Sequence, residues 1–208
     1  MDIFSWIVNI IVIVGMAYLT FAMALAGWFA GLRRGEAVTL LPEQGSRTKN
    51  LWAQAGIVVV SLVLSAAVIY VLWIPMPLTL SPRAASVLRD IGLVLFVLGT
   101  FVVAWARQTL GRMWGISTSR EVKLLPDHQL VKAGPYAVVR HPMYSAWWLA
   151  LVGAILIYWT WILILMLVFS VIVMARRARL EEKVLAERFG AEWEAYARST
   201  KSLIPFVY

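Results

Sequence analysis

Long apolar runs, almost free of charge, alternate with short polar clusters along this chain. Three runs, at about residues 5–31, 51–73 and 86–106, are long enough to cross a bilayer, whose hydrocarbon core of roughly 30 Å needs about 20 helical residues. A fourth run, residues 144–174, is too long for one upright helix and short for two complete spans. Turned back near Tyr158-Trp159-Thr160, it gives two arms of about 14 residues, each about 21 Å long. The pattern therefore predicts a compact or re-entrant helical hairpin, with Trp159 and Trp161 at its tip either anchored at an interface or packed against other helices. Beyond Met174 the helical spacing continues through Leu180, Val184, Leu185, Phe189, Trp193 and Tyr196. Gly190 is expected to break this stem near Arg188, leaving a short helix from about 191 to 199 and an extended Ile204-Pro205-Phe206 end.

These elements predict an all-α polytopic membrane protein: about five transmembrane helices, a short hairpin and a cytoplasmic C-terminal helical segment. Residues 1–208 form one membrane domain, with three N-terminal helices in 1–106 and the polar chemistry in 107–208. Composition agrees, since 62% of the 208 residues are apolar and 14% charged, with a mean hydropathy of +0.79, far from soluble domains. The first run exceeds a secretory apolar region and no cleavage-like site followed by a soluble domain is evident, so it reads as a retained helix. There is no internal repeat.

Charge sets the orientation. A net charge of +8 would suggest nucleic acid in a soluble protein, but here the basic residues flank apolar spans, so membrane lipids are the expected partner and nucleic acid is not. Arg33, Arg34, Arg47 and Lys49 lie between the first two runs; Arg107, Arg112, Arg120, Lys123, Lys132 and Arg140 follow the third. The positive-inside rule makes both segments cytoplasmic and places the N-terminus outside. Arg140 and the later Arg176, Arg177 and Arg179 belong on the same side, which requires an even number of crossings between them. The fold-back would bring the clusters at its two ends to one face.

Those clusters hold the candidate chemistry. Pro142 suits the first turn of a helix, which puts His141 in an extended conformation beside a helix N-terminus, a spot receptive to carboxylates and phosphates. The alternative is that His141 caps the helix while Arg140 snorkels to headgroups. Arg177 and Glu181 are one turn apart and can pair. The adjacent Glu182 places a second carboxylate near a low-dielectric region, where ionisable groups are costly and often functional; such carboxylates can hold ribose hydroxyls or an amino group. Tyr136 and Tyr144 either stack on a flat heterocycle or belong to an interfacial aromatic belt. His128 follows Pro126-Asp127 in a loop, as an acid or base or simply solvated. The absence of cysteine excludes disulfides and a catalytic thiol, and two separated histidines make a dedicated transition-metal site unexpected. No Walker or Rossmann glycine pattern is present.

Taken in order, Leu110-Gly111, His128-x-Leu130-Val131-x-x-Gly134-Pro135-Tyr136, Arg140-His141-Pro142-x-Tyr144, Arg177-x-x-x-Glu181-Glu182, Phe189-Gly190-x-x-Trp193-x-x-Tyr196 and Ile204-Pro205 resemble the isoprenylcysteine carboxyl methyltransferase family and, more broadly, membrane phospholipid methyltransferases. The resemblance covers about 109–206. It implies a membrane methyltransferase that uses S-adenosyl-L-methionine from the cytoplasm and takes a lipophilic acceptor from the bilayer. Separately, a bacterial or archaeal cytoplasmic membrane is the expected setting. Tyr136, His141, Pro142 and Tyr144 would line one wall of the cofactor site, and Glu181 and Glu182 the other. Arg177, with Arg140, would neutralise a carboxylate of cofactor or substrate; these two and Glu181 are the expected catalytic set. The acceptor stays open between an isoprenylcysteine-like carboxylate and a phospholipid amine. A distantly similar NADPH-dependent sterol-type reductase and a non-catalytic membrane scaffold are the alternatives; transport is disfavoured because the spans hold almost no ionisable groups.

Overall fold

The computed structural model describes residues 3–19, 69–77, 79–113 and 127–204, with Leu124 and several positions between 56 and 67. The described residues form helices and turns without a strand, apart from two isolated bridges. Helix α1 is Ile3–Ala17, α2 is Pro82–Leu110, α3 is Pro142–Tyr158, α4 is Trp161–Phe189 and α5 is Ala191–Ser199. The described positions from 56 to 71 within the second apolar run are also helical. The basic segment at 32–50 and most of the loop at 114–126 lie outside the described residues.

Local sequence sets the boundaries. Ser81 caps α2 by accepting from the Ala84 N–H, and Pro82 occupies the first turn, where its missing N–H costs nothing. Pro142 starts α3 in the same way. Between α3 and α4 the chain reverses at Trp159-Thr160, where the sequence placed the turn. Trp159 adopts φ 47°, a left-handed conformation unfavourable for a non-glycine residue. Neighbouring bonds hold it there: its carbonyl accepts from Met76 N–H at 2.8 Å, and Ile74 accepts from Trp161 N–H and the Thr160 hydroxyl. Thr160 is fully buried in this junction, so the hairpin tip is packed against the linker before α2. Gly190, at φ 50°, separates α4 from α5 as predicted, and α4 ends at Phe189, one residue beyond the predicted end of the stem.

The core lies where α2 and α3 pack. Gly92 and Gly99 of α2 meet Gly153, Ala146 and Ala150 of α3 so closely that a Cβ on Gly153 would stand 2.5 Å from the Gly92 carbonyl oxygen. Small residues permit this backbone approach, the usual route to helix association in lipid. Phe96 and Val103 of α2, Leu151 and Ala154 of α3, Val8 and Val12 of α1, Leu19, and Ile162 and Leu163 of α4 complete the buried cluster among the described residues. Outside it, Val94 and Phe101 on α2 and Leu165 and Phe169 on α4 are exposed. Helices α2 and α4 are long and apolar enough to cross a membrane; α1 and α3, at 15 and 17 residues, are shorter apolar helices. Exposed apolar side chains on such helices suit lipid contact, and the protein is an integral membrane protein. The long α4 continues past the apolar run, carrying Arg177, Glu181 and Glu182 beneath the start of α3.

Candidate active site

The fold-back brings the two polar clusters into direct contact. His141 occupies the N-cap position of α3, but its side chain makes no capping bond. Its ring turns to α4, with Nε2 3.1 Å from Glu182 Oε1 and Nδ1 3.4 Å from Glu181 Oε2. A neutral imidazole presents one acceptor nitrogen, which would oppose one of these carboxylates; the doubly protonated cation suits both. Burial is the largest influence on His141 and pushes its pKa down, yet the hydrogen bonds and charges of Glu181 and Glu182 together outweigh it and raise the pKa. Glu181 and Glu182 lie beyond the uncharged run that ends at Met174. Burial opposes their ionisation, but His141 and Arg177 hold Glu181 below the ordinary carboxylate range, and His141, Arg140 and Ser202 hold Glu182 at about 2.

Each carboxylate has its own retinue. Glu181 Oε1 accepts from the Tyr144 hydroxyl and from Arg177 Nε, both at 2.8 Å. Tyr144, one turn into α3, also stacks parallel on the His141 ring with centroids 5.3 Å apart. Glu182 Oε1 accepts from Arg140 Nε at 3.0 Å and from Ser202 Oγ at 2.7 Å. Three donors therefore converge on one oxygen of Glu182, whereas Glu181 Oε2 keeps unused lone-pair capacity. Arg140 does more than the sequence suggested. Its guanidinium also donates to the Ala197 and Thr200 carbonyls and lies 5.9 Å from the centroid of the buried Trp193 ring.

Those bonds tie down a strap that the sequence did not reveal. After α5, residues 200–203 run beside the Arg140-His141 segment: Arg140 N–H donates to the Lys201 carbonyl, His141 N–H to that of Ser202, and the Ser145 hydroxyl to that of Leu203. These are largely main-chain bonds, which leave no side-chain pattern to read. Only the spacing of Trp193 and Tyr196, both buried, signalled that this end packs back.

The other expected residues take different places. Tyr136 is buried in a short turn, Gly134–Ala137, and its carbonyl accepts from the Tyr196 hydroxyl at 2.7 Å. Burial pushes its phenol up; the charge of Glu181 adds to this and that of Arg107 on α2 opposes it, so Tyr136 lies within the electrostatic reach of the cluster. Arg107 is a neighbour that sequence reading counted only as a cytoplasmic charge. Pro142 is buried and sets the start of α3. His128 is not joined to the cluster. It sits against Phe189, ring centroids 6.3 Å apart, with Nδ1 buried and unpartnered; burial lowers its pKa, opposed by Asp127.

A helical membrane protein with an ion-paired cluster where a hairpin meets a polar helical stem is the class these features define. A model of the phospholipid methyltransferase family matches residues 88–192, and the chain belongs to that family. Among curated relatives, a protein-S-isoprenylcysteine O-methyltransferase of Saccharomyces cerevisiae is 31% identical over 139 residues, covering 60% of this chain and 52% of that protein. Protein-S-isoprenylcysteine O-methyltransferase B of Arabidopsis thaliana is 31% identical over 125 residues, 58% of this chain and 60% of that one. An uncharacterised Bacillus subtilis protein, YpbQ, is 29% identical over 99 residues, 47% of this chain and 56% of that one. The chain thus spans little more than half the length of these relatives. The solved structure of the eukaryotic intramembrane Ras methyltransferase ICMT superposes with a TM-score of 0.53 at 23% identity, covering 97% of this chain and 74% of that one. That likeness establishes a shared fold.

Proposed function

We propose that the protein is a membrane methyltransferase that uses S-adenosyl-L-methionine and transfers its methyl group to a lipophilic acceptor drawn from the bilayer. The observation that carries this reading is the His141 ring held between Glu181 and Glu182, with Tyr144 and Arg177 on Glu181. The methyltransferase names of the relatives support it. In this reading residues 107–208 form the catalytic region, about five helices cross the membrane, the N-terminus lies outside and the cluster faces the cytoplasm.

The residues present suit the donor. Bound S-adenosyl-L-methionine supplies a methyl group on a cationic sulfonium and carries ribose hydroxyls and an amino group, all of which favour ionised carboxylates. Glu181, with spare acceptor capacity on Oε2, is the contacting carboxylate; Glu182 orients His141 and Arg140. Tyr144, Tyr136 and Pro142 give the wall, and Arg177 provides a cation for a carboxylate of donor or acceptor.

The electrostatics also favour one class of acceptor. A neutral amine has to lose a proton during transfer, and an effective base has a pKa near the working pH. Glu181 and Glu182 are held low, and His141, its pKa raised, is engaged by both carboxylates, so neither carboxylate is suited to take that proton and the imidazole is committed to the pair. A carboxylate acceptor needs no base; orientation and exclusion of water can then supply much of the rate. We therefore assign an isoprenylcysteine-like carboxylate, or another lipophilic acid, over a phospholipid amine. The test is a transfer assay with methyl-labelled S-adenosyl-L-methionine on lipid extracts and on a prenylated cysteine analogue. Base-labile label, as in a methyl ester, is expected. Label in base-stable N-methyl groups overturns the acceptor assignment, and NADPH binding without S-adenosyl-L-methionine binding overturns the enzyme class.

A further inference from the structure

The exit of α4 from its apolar run carries two polar faces. Arg177 and Glu181 turn to His141 and Tyr144. One position further round, Ala175, Arg179 and Glu182, at i, i+4 and i+7, share a second face. This face, with Arg198 and the strap, lines a cleft of about 360 Å³ that Arg140 also borders. Glu181, Tyr144 and Arg177 are not among its lining residues, so it shares only Arg140 and Glu182 with the cluster assigned to the methyl donor.

Its charge is lopsided. Arg140, Arg179, Arg198 and Lys201 border the cleft against the single carboxylate of Glu182, four cations to one anion. Arg140 and Glu182 neutralise each other at 3.0 Å. Arg198 faces Glu194 at 3.8 Å through exposed side chains, a pairing that contributes little in water. Arg179 and Lys201 have no ion-pair partner among the described residues. Two or three like charges thus face one concavity whose floor includes Ala175, the residue directly after the uncharged run. The cleft therefore lies where the apolar run gives way to the polar stem. S-adenosyl-L-methionine, with two cationic groups and one carboxylate, carries a net positive charge and is disfavoured here.

We infer that this cleft binds a phosphate group, with Arg179 and Lys201 as the principal donors and Arg198 at its edge. The two sources of that chemistry are the headgroup of an anionic phospholipid and a soluble phosphate compound. Occupation would neutralise the face against which residues 200–203 lie, and so secure the strap that holds Glu182 through Ser202.

The experiment uses the full chain in detergent, titrated with dihexanoyl phosphatidylglycerol, dihexanoyl phosphatidylcholine and inorganic phosphate. The wild type is expected to bind phosphatidylglycerol more tightly than phosphatidylcholine. The double variant Arg179→Gln/Lys201→Gln should weaken that binding about thirtyfold, on about fivefold for each cation near an anionic group. Lys183→Gln, on the exposed stem, should leave it unchanged. Competition by inorganic phosphate at concentrations similar to the lipid's identifies a soluble phosphate as the natural source; competition only at far higher concentrations identifies the headgroup. Equal binding of both lipids, equal binding by the double variant, or equal loss in Lys183→Gln overturns the inference. The thermal melt of the double variant checks its fold independently of any methyltransferase activity.

Discussion

His141 has carboxylates on both ring nitrogens, and its protonation follows from that position more than from its burial. Its pKa is raised in the folded protein, so its contribution to stability is complete below about 6.5 and is lost as pH rises through the raised value. Glu182 behaves oppositely. Held at about 2 against an ordinary 4.5, it contributes fully above 4.5 and loses that contribution as pH falls toward about 2. Thermal melts in detergent across pH should therefore show a plateau from about 4.5 upward, then a decline as His141 deprotonates. His141→Gln should flatten the alkaline decline, and an unchanged decline in that variant would assign it to another group. The sequence showed the Arg177–Glu181 turn spacing and the adjacency of Glu182, because helix geometry fixes both. It did not show that one imidazole spans both carboxylates, since that depends on where α3 stands over α4.

At the scale of elements, the hairpin was legible because length alone forbids one upright helix over 144–174, and the turn came where Tyr158-Trp159-Thr160 interrupts the run. The structure adds that α4 is one continuous helix of 29 residues through the apolar run and its polar stem. The left-handed Trp159 and its partners Ile74 and Met76 were not legible, because no periodicity links a turn to a loop more than 80 residues earlier. The α2–α3 seam is similar: single glycines in apolar runs do not announce their neighbours. Gly153→Leu should force the seam apart, since its side chain would meet the Gly92 carbonyl and Phe96 backbone. Overpacking of this kind costs typically about 1–3 kcal/mol. A melting temperature unchanged from wild type would show that the two helices do not pack this closely.

For the whole molecule, topology decides whether the cluster and the methyl donor share a compartment. Wild type has no cysteine, so single cysteines report accessibility without background. Gln129→Cys, before the hairpin, and Lys183→Cys, after it, should label from the cytoplasmic side with a membrane-impermeant maleimide. Thr79→Cys, in the linker between the second run and α2, should label from the other side. Labelling of positions 129 and 183 from opposite sides would mean an odd number of crossings between them, which the ion pairs of His141 with α4 do not allow.

The central claim is that the carboxylate cluster beneath the hairpin holds S-adenosyl-L-methionine, and equilibrium binding of the labelled compound to purified protein tests it most directly. Glu181→Gln removes the charge that faces the donor while keeping the side chain's shape, and a lost charge-assisted hydrogen bond of about 1.5–3 kcal/mol corresponds to a loss of about ten- to a hundredfold. Lys183→Gln, two residues away on the exposed face, should bind as wild type does. Loss of affinity in Glu181→Gln alone, in a protein that still melts cooperatively, is the predicted result; equal affinity in all three proteins would contradict the account.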